Sequence, residues 1–307
     1  LGGFSAVCWT DFFQGMLMLG ALLIAPIFAA TMLDSTTASA VPAGYWNAFS
    51  DWKDIVSGLG WGLGYFGMPH IIIRFMSLES QKSLKKSAKI GIAWTILIVI
   101  FAALVGIVGR MFLGYDESIN QNSLVFVTMV RKIFPTLISG ILLSAVLAAS
   151  MSTADSQLLA AASAFASDVY QPIIRKEKAS NKEMLWAGRI VVLIIAILAL
   201  LIASDPDAGS IMDLVSNAWG VFGAAFGPVI MLSLFWKRFT FSGAIVGILV
   251  GAAVDIGWYM WFAFTGIYEI IPGFAAGLVA AVVVSLCTKE PEAEVMDLFD
   301  RAVAYED

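Results

Sequence analysis

The stretch that most restricts the fold is Gly140 to Ala166, GILLSAVLAASMSTADSQLLAAASAFA, long and apolar enough to cross a bilayer yet carrying Ser144, Ser150, Ser152, Thr153, Asp155, Ser156 and Gln157 in its middle. A carboxylate at the centre of a membrane span costs about 3 kcal/mol on insertion scales and more in simulations, so spans that keep one generally use it. On a helix, Ala149, Ser152, Thr153 and Ser156 follow an i, i+3, i+4, i+7 spacing and share one face. Two adjacent hydroxyls beside the small side chains of Ala148 and Ala149 leave room for a backbone carbonyl and a small hard cation, which prefers oxygen ligands. Hydroxyl and small residues also serve helix–helix packing, and Ser144 and Ser163 are assigned to that role.

Composition agrees that the solvent is lipid. The apolar share is 60% and the charged share 13%, about half the charged fraction of a soluble domain. The expected fold is an all-α polytopic membrane protein. Cys8 and Cys287 lie far apart and His70 is the only histidine, so neither a disulfide framework nor a metal cluster is indicated. No HExxH or GxSxG occurs, and a single histidine leaves acid–base catalysis without staff, so an enzyme is not expected. No organic cofactor and no nucleic-acid partner is expected either. The chain opens on LGGF without an initiator Met, inside what already reads as a span, and is taken as the C-terminal part of a longer protein.

Eight spans are expected. The first runs from about Phe4 to Met32, with Trp9, Thr10, Asp11 and Gln14 near its start, and a polar connection with Pro42, Asp51 and Asp54 follows. The second, about Ile55 to Ser77, has Gly58, Gly60, Gly62, Gly64 and Gly67 ahead of Pro69. Glycine is a poor helix former and proline removes a donor, so this segment is predicted to be a discontinuous helix whose open backbone lines a cavity. The third covers about Ile90 to Leu113, the fourth is entered from Pro135, and the fifth is RIVVLIIAILALLIA. The sixth, Ile211 to Trp236, carries Gly220, Gly223, Gly227 and Pro228 and is predicted to be interrupted too. The seventh spans about Phe241 to Phe264 with Asp255 inside it, where a packing or protonated role is expected, and the eighth about Ile271 to Cys287. Trp258, Tyr259, Trp261 and Tyr268 read as an interfacial aromatic belt. Arg74 reads as a snorkelling or gate-lining charge. This divides the chain into a membrane domain, 1–288, and an acidic tail, 289–307.

Lysines 82, 85, 86 and 89, then Arg175, Lys176, Lys178 and Lys182, then Lys237 and Arg238 follow alternate spans, while Asp116, Glu117, Asp205, Asp207 and Glu269 lie in the intervening loops. By the positive-inside rule the tail is cytoplasmic. Arg131 and Lys132 break the pattern and are assigned to a segment packed on the outer surface.

Interrupted helices, intramembrane hydroxyls and a midplane carboxylate together suggest an ion-coupled secondary transporter. A channel would show a filter loop or a ring of like charges. The segments LGGFSAVCWTDFFQG, GWGLGYFGMPHIIIRFM, GILLSAVLAASMSTADSQLL, NAWGVFGAAFGPVIMLSLFWKR and GIYEIIPGF resemble the sodium/solute symporter family, and most of all its bacterial proline-carrying members. That resemblance implies thirteen helices with a five-plus-five inverted-repeat core and two extra C-terminal helices, of which this chain would hold the last eight. It implies a sodium site to which Ala149 gives a carbonyl and Ser152 and Thr153 give hydroxyls, with Asp11 of the WTD segment in sodium dependence. It implies substrate contacts at Trp61, Tyr65 and Pro69; from the broken backbone itself, a solute carboxylate is expected near N–H groups freed around Gly62–Gly67. Asp155, grouped here with the sodium residues, and Met68 depart from the pattern of the proline carriers. The implied activity is sodium-coupled symport in the plasma (inner) membrane, of L-proline or, alternatively, another amino acid, a carboxylate or a vitamin.

Overall fold

The computed structural model describes residues 3–33, 44–47, 49–114, 124–205 and 209–304, so Pro42, Asp116, Glu117 and Asp207 lie outside the described residues. The elements are, in order, α1 (Gly3–Thr31), α2 (Trp52–Gly64), α3 (Pro69–Met76), α4 (Gln81–Leu113), α5 (Val125–Ile133), α6 (Thr136–Ala164), α7 (Asn181–Ala203), α8 (Ile211–Phe235), α9 (Phe241–Trp261), α10 (Ile270–Cys287) and α11 (Ala293–Val303). No strand occurs among the described residues. Among the described residues, seven helices are long and apolar enough to cross a membrane.

These elements sort into two compact units, one of Leu1–Trp46 with Lys82–Ala196 and one of Asn47–Gln81 with Ile197–Asp307. In the first, α1 lies along α6 and both meet α5. The α1 surface at the contact is a ladder of alanines, Ala21, Ala25 and Ala29, each at most 2% exposed. Small residues at i, i+4, i+8 let backbones approach, which is how helices associate where lipid removes the hydrophobic drive. Val105 and Val108 of α4, Met129 and Val130 of α5, and Leu142 and Ala145 of α6 complete this core. The basic residues Arg131 and Lys132 end α5, a short helix seated by Met129 and Val130. The buried hydroxyl of Ser139 on α6 donates to the Val130 carbonyl at 3.2 Å and the Phe134 carbonyl at 2.9 Å, closing the turn between the two helices. Past Ala164 the chain does not stop at Ala166 but winds on as a wider π-helix to Ile174. There the Arg175 guanidinium pairs with Glu183 at 2.8 Å while the Tyr170 hydroxyl donates to the same carboxylate at 3.0 Å.

In the second unit α8, α9 and α10 pack side by side and α2 lies against α8 and α10. The expected break in the second span is present: α2 stops at Gly64, and α3 begins at Pro69 after Met68 in extended backbone. A residue before proline is pushed out of helical backbone, and proline fits the first helical position, where its missing N–H goes unnoticed. The segment is therefore a pair of helices of 13 and 8 residues.

The sixth expected span departs from its prediction, because α8 is continuous through Pro228. Its glycines serve close approach rather than a break. A Cβ added at Gly223 would lie 2.7 Å from the Cα of Gly64, so α8 and α2 touch backbone to backbone. Pro228 cannot donate to the carbonyl four residues back. That carbonyl, of Ala224, points to Gly251 of α9 and Gly277 of α10, and a Cβ on Gly277 would lie 3.1 Å from it.

The acidic tail carries a helix of its own. It forms α11, tied back by Lys237 to Asp300 at 2.5 Å. Arg238 donates to the carbonyls of Ser285 at 2.8 Å and Thr288 at 2.9 Å, satisfying the end of α10.

Candidate functional site

Two groups of residues gather where the sequence placed its chemistry, one in each unit. In the first unit, α6 presents the Ala149 carbonyl to two hydroxyls at once: Ser152 Oγ donates to it at 3.0 Å and Thr153 Oγ1 at 3.2 Å. Serine and threonine on a helix commonly bond back to the third or fourth preceding carbonyl. Here the two adjacent bonds draw three oxygens around one point. One turn on, the Ser156 hydroxyl reaches the Ser152 carbonyl at 2.9 Å and Asp11 Oδ2 of α1 at 3.3 Å. Ser156 is 7% exposed, on the face of α6 that meets the alanine ladder.

Asp11 is thus joined to the hydroxyl face. Asp155 is not: it is half-buried and makes no hydrogen bond or ion pair among the described residues, and the residue that meets Asp11 is Ser156. Gln14, one turn from Asp11 on α1, has a buried Oε1 with no hydrogen-bond partner among the described residues. It was visible in the sequence as a polar residue in the first span, and its spacing of three from Asp11 was the signal that could have grouped the two.

In the second unit, Trp61 and Tyr65 on the last turns of α2 do not form a pair of their own. Trp219 of α8 stands between them, 5.8 Å from the Trp61 ring and 4.9 Å, edge to face, from Tyr65. Trp219 Nε1 donates to the Trp61 carbonyl at 2.9 Å, satisfying an acceptor that the end of α2 leaves open. Tyr268 stacks on Trp61 at 5.6 Å, donates its hydroxyl to the Ser216 carbonyl at 2.6 Å, and donates its backbone N–H to the Ser57 hydroxyl oxygen at 3.2 Å. Tyr268 is therefore part of this cluster. A half-buried tyrosine hydroxyl takes a hydrogen-bond partner, here the Ser216 carbonyl of α8. Pro69 is exposed at the head of α3 and marks the break without entering the ring cluster.

The N–H groups expected to be free around Gly62–Gly67 are partly taken. Phe66 donates to the Leu63 carbonyl at 3.3 Å and Gly67 to the Gly64 carbonyl at 2.9 Å, because the chain tightens into a turn rather than opening. Trp219 and Tyr268 were not assigned to this site from the sequence. Both lie far along the chain from α2, and only the tryptophan-rich and IYEIIPGF segments themselves hinted at a role.

A helical, multi-pass membrane protein with a hydroxyl-lined face and a broken aromatic helix is what these observations define. The family model described as "Sodium:solute symporter family" matches residues 1–251. The chain belongs to the sodium:solute symporter family. It is 42% identical over 94% of its length to the osmoregulated proline transporter OpuE of Bacillus subtilis (strain 168), covering 61% of that protein. It is 41% identical over 98% of its length to a sodium/proline symporter of Haemophilus influenzae and 40% identical over 99% to one of Escherichia coli (strain K12), covering 64% and 62% of them. The chain thus spans about three fifths of the length of the curated relatives it matches.

Proposed function

We propose that this protein works by sodium-coupled symport of L-proline across the plasma (inner) membrane by alternating access, without chemical conversion of the solute and without an organic cofactor. The observation that supports it most directly is the convergence of the Ser152 and Thr153 hydroxyls on the Ala149 carbonyl, in a family whose matching relatives are named for sodium and proline. The donors are all neutral oxygens, the ligand chemistry a small hard cation accepts. For Na⁺ to bind, the two O–H groups turn away from Ala149, releasing its carbonyl and both hydroxyl oxygens to the ion. The hydrogen bonds given up are worth about 1 kcal/mol each, a cost that ion coordination offsets. Asp11, bonded to Ser156 on the same helix face, places a negative charge where it favours a cation. Asp155 is assigned to the same ion path.

Trp61, Tyr65 and Pro69 line the solute site in this reading. Proline pairs a compact apolar ring with a cationic amine, and aromatic faces accept both. Trp219 and Tyr268 hold the Trp61 ring from two sides. The broken α2–α3 pair acts as an eighth span, the fold is part of a five-plus-five inverted-repeat core with two further C-terminal helices, residues 1–288 form the membrane domain, and residues 289–307 face the cytoplasm.

The test is Thr153→Val in the full-length protein, which keeps volume and deletes the oxygen. The sodium concentration for half-maximal proline uptake should rise at least tenfold while Thr153→Ser stays close to the parent. Equal sodium dependence in all three proteins refutes the assignment. Sodium-driven uptake of a different solute, with proline ignored, would keep the symport reading and refute the substrate.

A further inference from the structure

The sodium and aromatic groups leave unused the most deeply buried charged residue described in the protein. Asp255, in the interior of α9, is 1% exposed, and its Oδ1 has no hydrogen-bond partner among the described residues. The surface it faces is made by glycine. A Cβ added at Gly220 of α8 would lie 3.0 Å from Asp255 Oδ1, 3.5 Å from Oδ2 and 3.4 Å from Glu269 Cγ. A Cβ added at Gly273 of α10 would lie 2.8 Å from Asp255 Cβ. The two acids therefore converge on one bare patch of α8 backbone, in the second unit alone.

No Lys or Arg forms an ion pair with either acid among the described residues. The charged and titratable groups on the surrounding elements have their own places. Lys53 of α2, between Asp51 and Asp54, lies against Gly266 with its Nζ 3.9 Å from the position of a Cβ there. Asp213 of α8 is bonded to Ser210 in the cap of its helix. Tyr268 gives its hydroxyl to Ser216, and Tyr259 follows Trp258 on the half-exposed side of α9. Three or more acidic or imidazole or thiol groups suited to a metal ion do not gather anywhere among the described residues. A pair of acids in apolar surroundings with no cation beside it has one inexpensive way to exist, which is to carry a proton.

We propose that Asp255 and Glu269 form a proton-binding site in the C-terminal helices, holding one proton between them, on Asp255. The division between the two follows from position. Glu269 precedes the first turn of α10, where the helix dipole favours a negative charge. Burial nevertheless holds its carboxyl above the usual carboxylate range. Asp255 has no such support, being inside α9 with an unpartnered oxygen. Gly220 follows Trp219 and Glu269 follows Tyr268, so the site is one residue from the aromatic cluster at both α8 and the start of α10. The bare glycine keeps the two carboxyls close enough to sense each other.

The experiment is an infrared titration of the carboxylic C=O band in the full-length protein, alongside Asp255→Asn and Glu269→Gln, with no transport step required. The wild type should show a protonated carboxyl at neutral pH that disappears as pH rises. Asp255→Asn should abolish that band, and Glu269→Gln, by removing the like charge, should raise the fraction of Asp255 that ionises at a given pH and shift the midpoint down by about one unit or more. A band untouched by Asp255→Asn, or no such band at all, overturns the proposal. If Asp255→Asn does not fold, Glu269→Gln decides alone: a midpoint that does not move overturns it, and one that falls supports it.

Discussion

Adding one methyl group to α2 should have opposite consequences at two positions two residues apart. At Gly64 a new Cβ would overlap the Trp219 indole, whose Nε1 is the nearest atom to that point. The indole is not free to swing away. It is held by the 2.9 Å bond to the Trp61 carbonyl and by ring contacts with Trp61 and Tyr65. Gly64→Ala therefore forces either overpacking, about 1–3 kcal/mol, or loss of the hydrogen bond, about 1 kcal/mol, with the edge-to-face contact, about 0.5–1.5 kcal/mol. Either route gives a loss of about 2 kcal/mol. At Gly62 nothing lies within 4 Å of the added Cβ, so Gly62→Ala should stabilise by about 0.5–1 kcal/mol through helix propensity. Thermal unfolding of the full-length protein in detergent, followed by near-ultraviolet circular dichroism, reads both effects. Gly64→Ala should melt several degrees below the parent and lose the signal of the coupled indoles, while Gly62→Ala should melt at or above it. Two variants that move together would refute the packing described for α2 against α8.

Ser139→Ala should destabilise by about 1–2 kcal/mol in chemical denaturation, because the Val130 and Phe134 carbonyls lose their shared donor in a buried turn; an unchanged midpoint would mean water replaces it. Trp61→Ala should weaken proline binding, measured calorimetrically, far more than Trp219→Phe, which keeps the ring and deletes only the bond to the Trp61 carbonyl; equal losses would remove Trp61 from the solute. Arg238→Met should loosen the end of α10, freeing the Ser285 and Thr288 carbonyls, and hydrogen exchange at the following residues should rise without change at α2. Since burial raises the Glu269 carboxyl, the folded chain holds that proton more tightly than the unfolded chain does, so stability should fall as pH climbs from the ordinary carboxylate range and level off once the group has ionised; Glu269→Gln should flatten that slope.

What could be read from the sequence was local. The break before Pro69 follows from covalent constraints on the residue before proline and was expected at the place where it occurs. The hydroxyl face of α6 follows from spacing alone, and the two bonds on the Ala149 carbonyl are its direct expression. The same reasoning failed in α8, where glycine and proline looked like interruption. Whether such residues break a helix or let a neighbour approach depends on what lies opposite, and Gly64, Gly251 and Gly277 are distant in sequence. Trp219 and Tyr268 were hidden for the same reason: an aromatic residue announces its size but not its partner. At Asp155 the charge drew attention, and the bond to Asp11 is made by the neutral Ser156 beside it.

The Ala224 carbonyl left without a donor by Pro228 carries a mechanical consequence. It rests against backbone at Gly251 and Gly277, where no side chain exists to be repacked. Side-chain interfaces can slip by exchanging rotamers, but a fit of main chain on main chain has only one setting. A sideways step of α8 past α9 or α10 would drive the next side chain into peptide atoms. These three helices should therefore travel as a single plate, and any bending in this part of the protein is left to the four residues between Gly64 and Pro69.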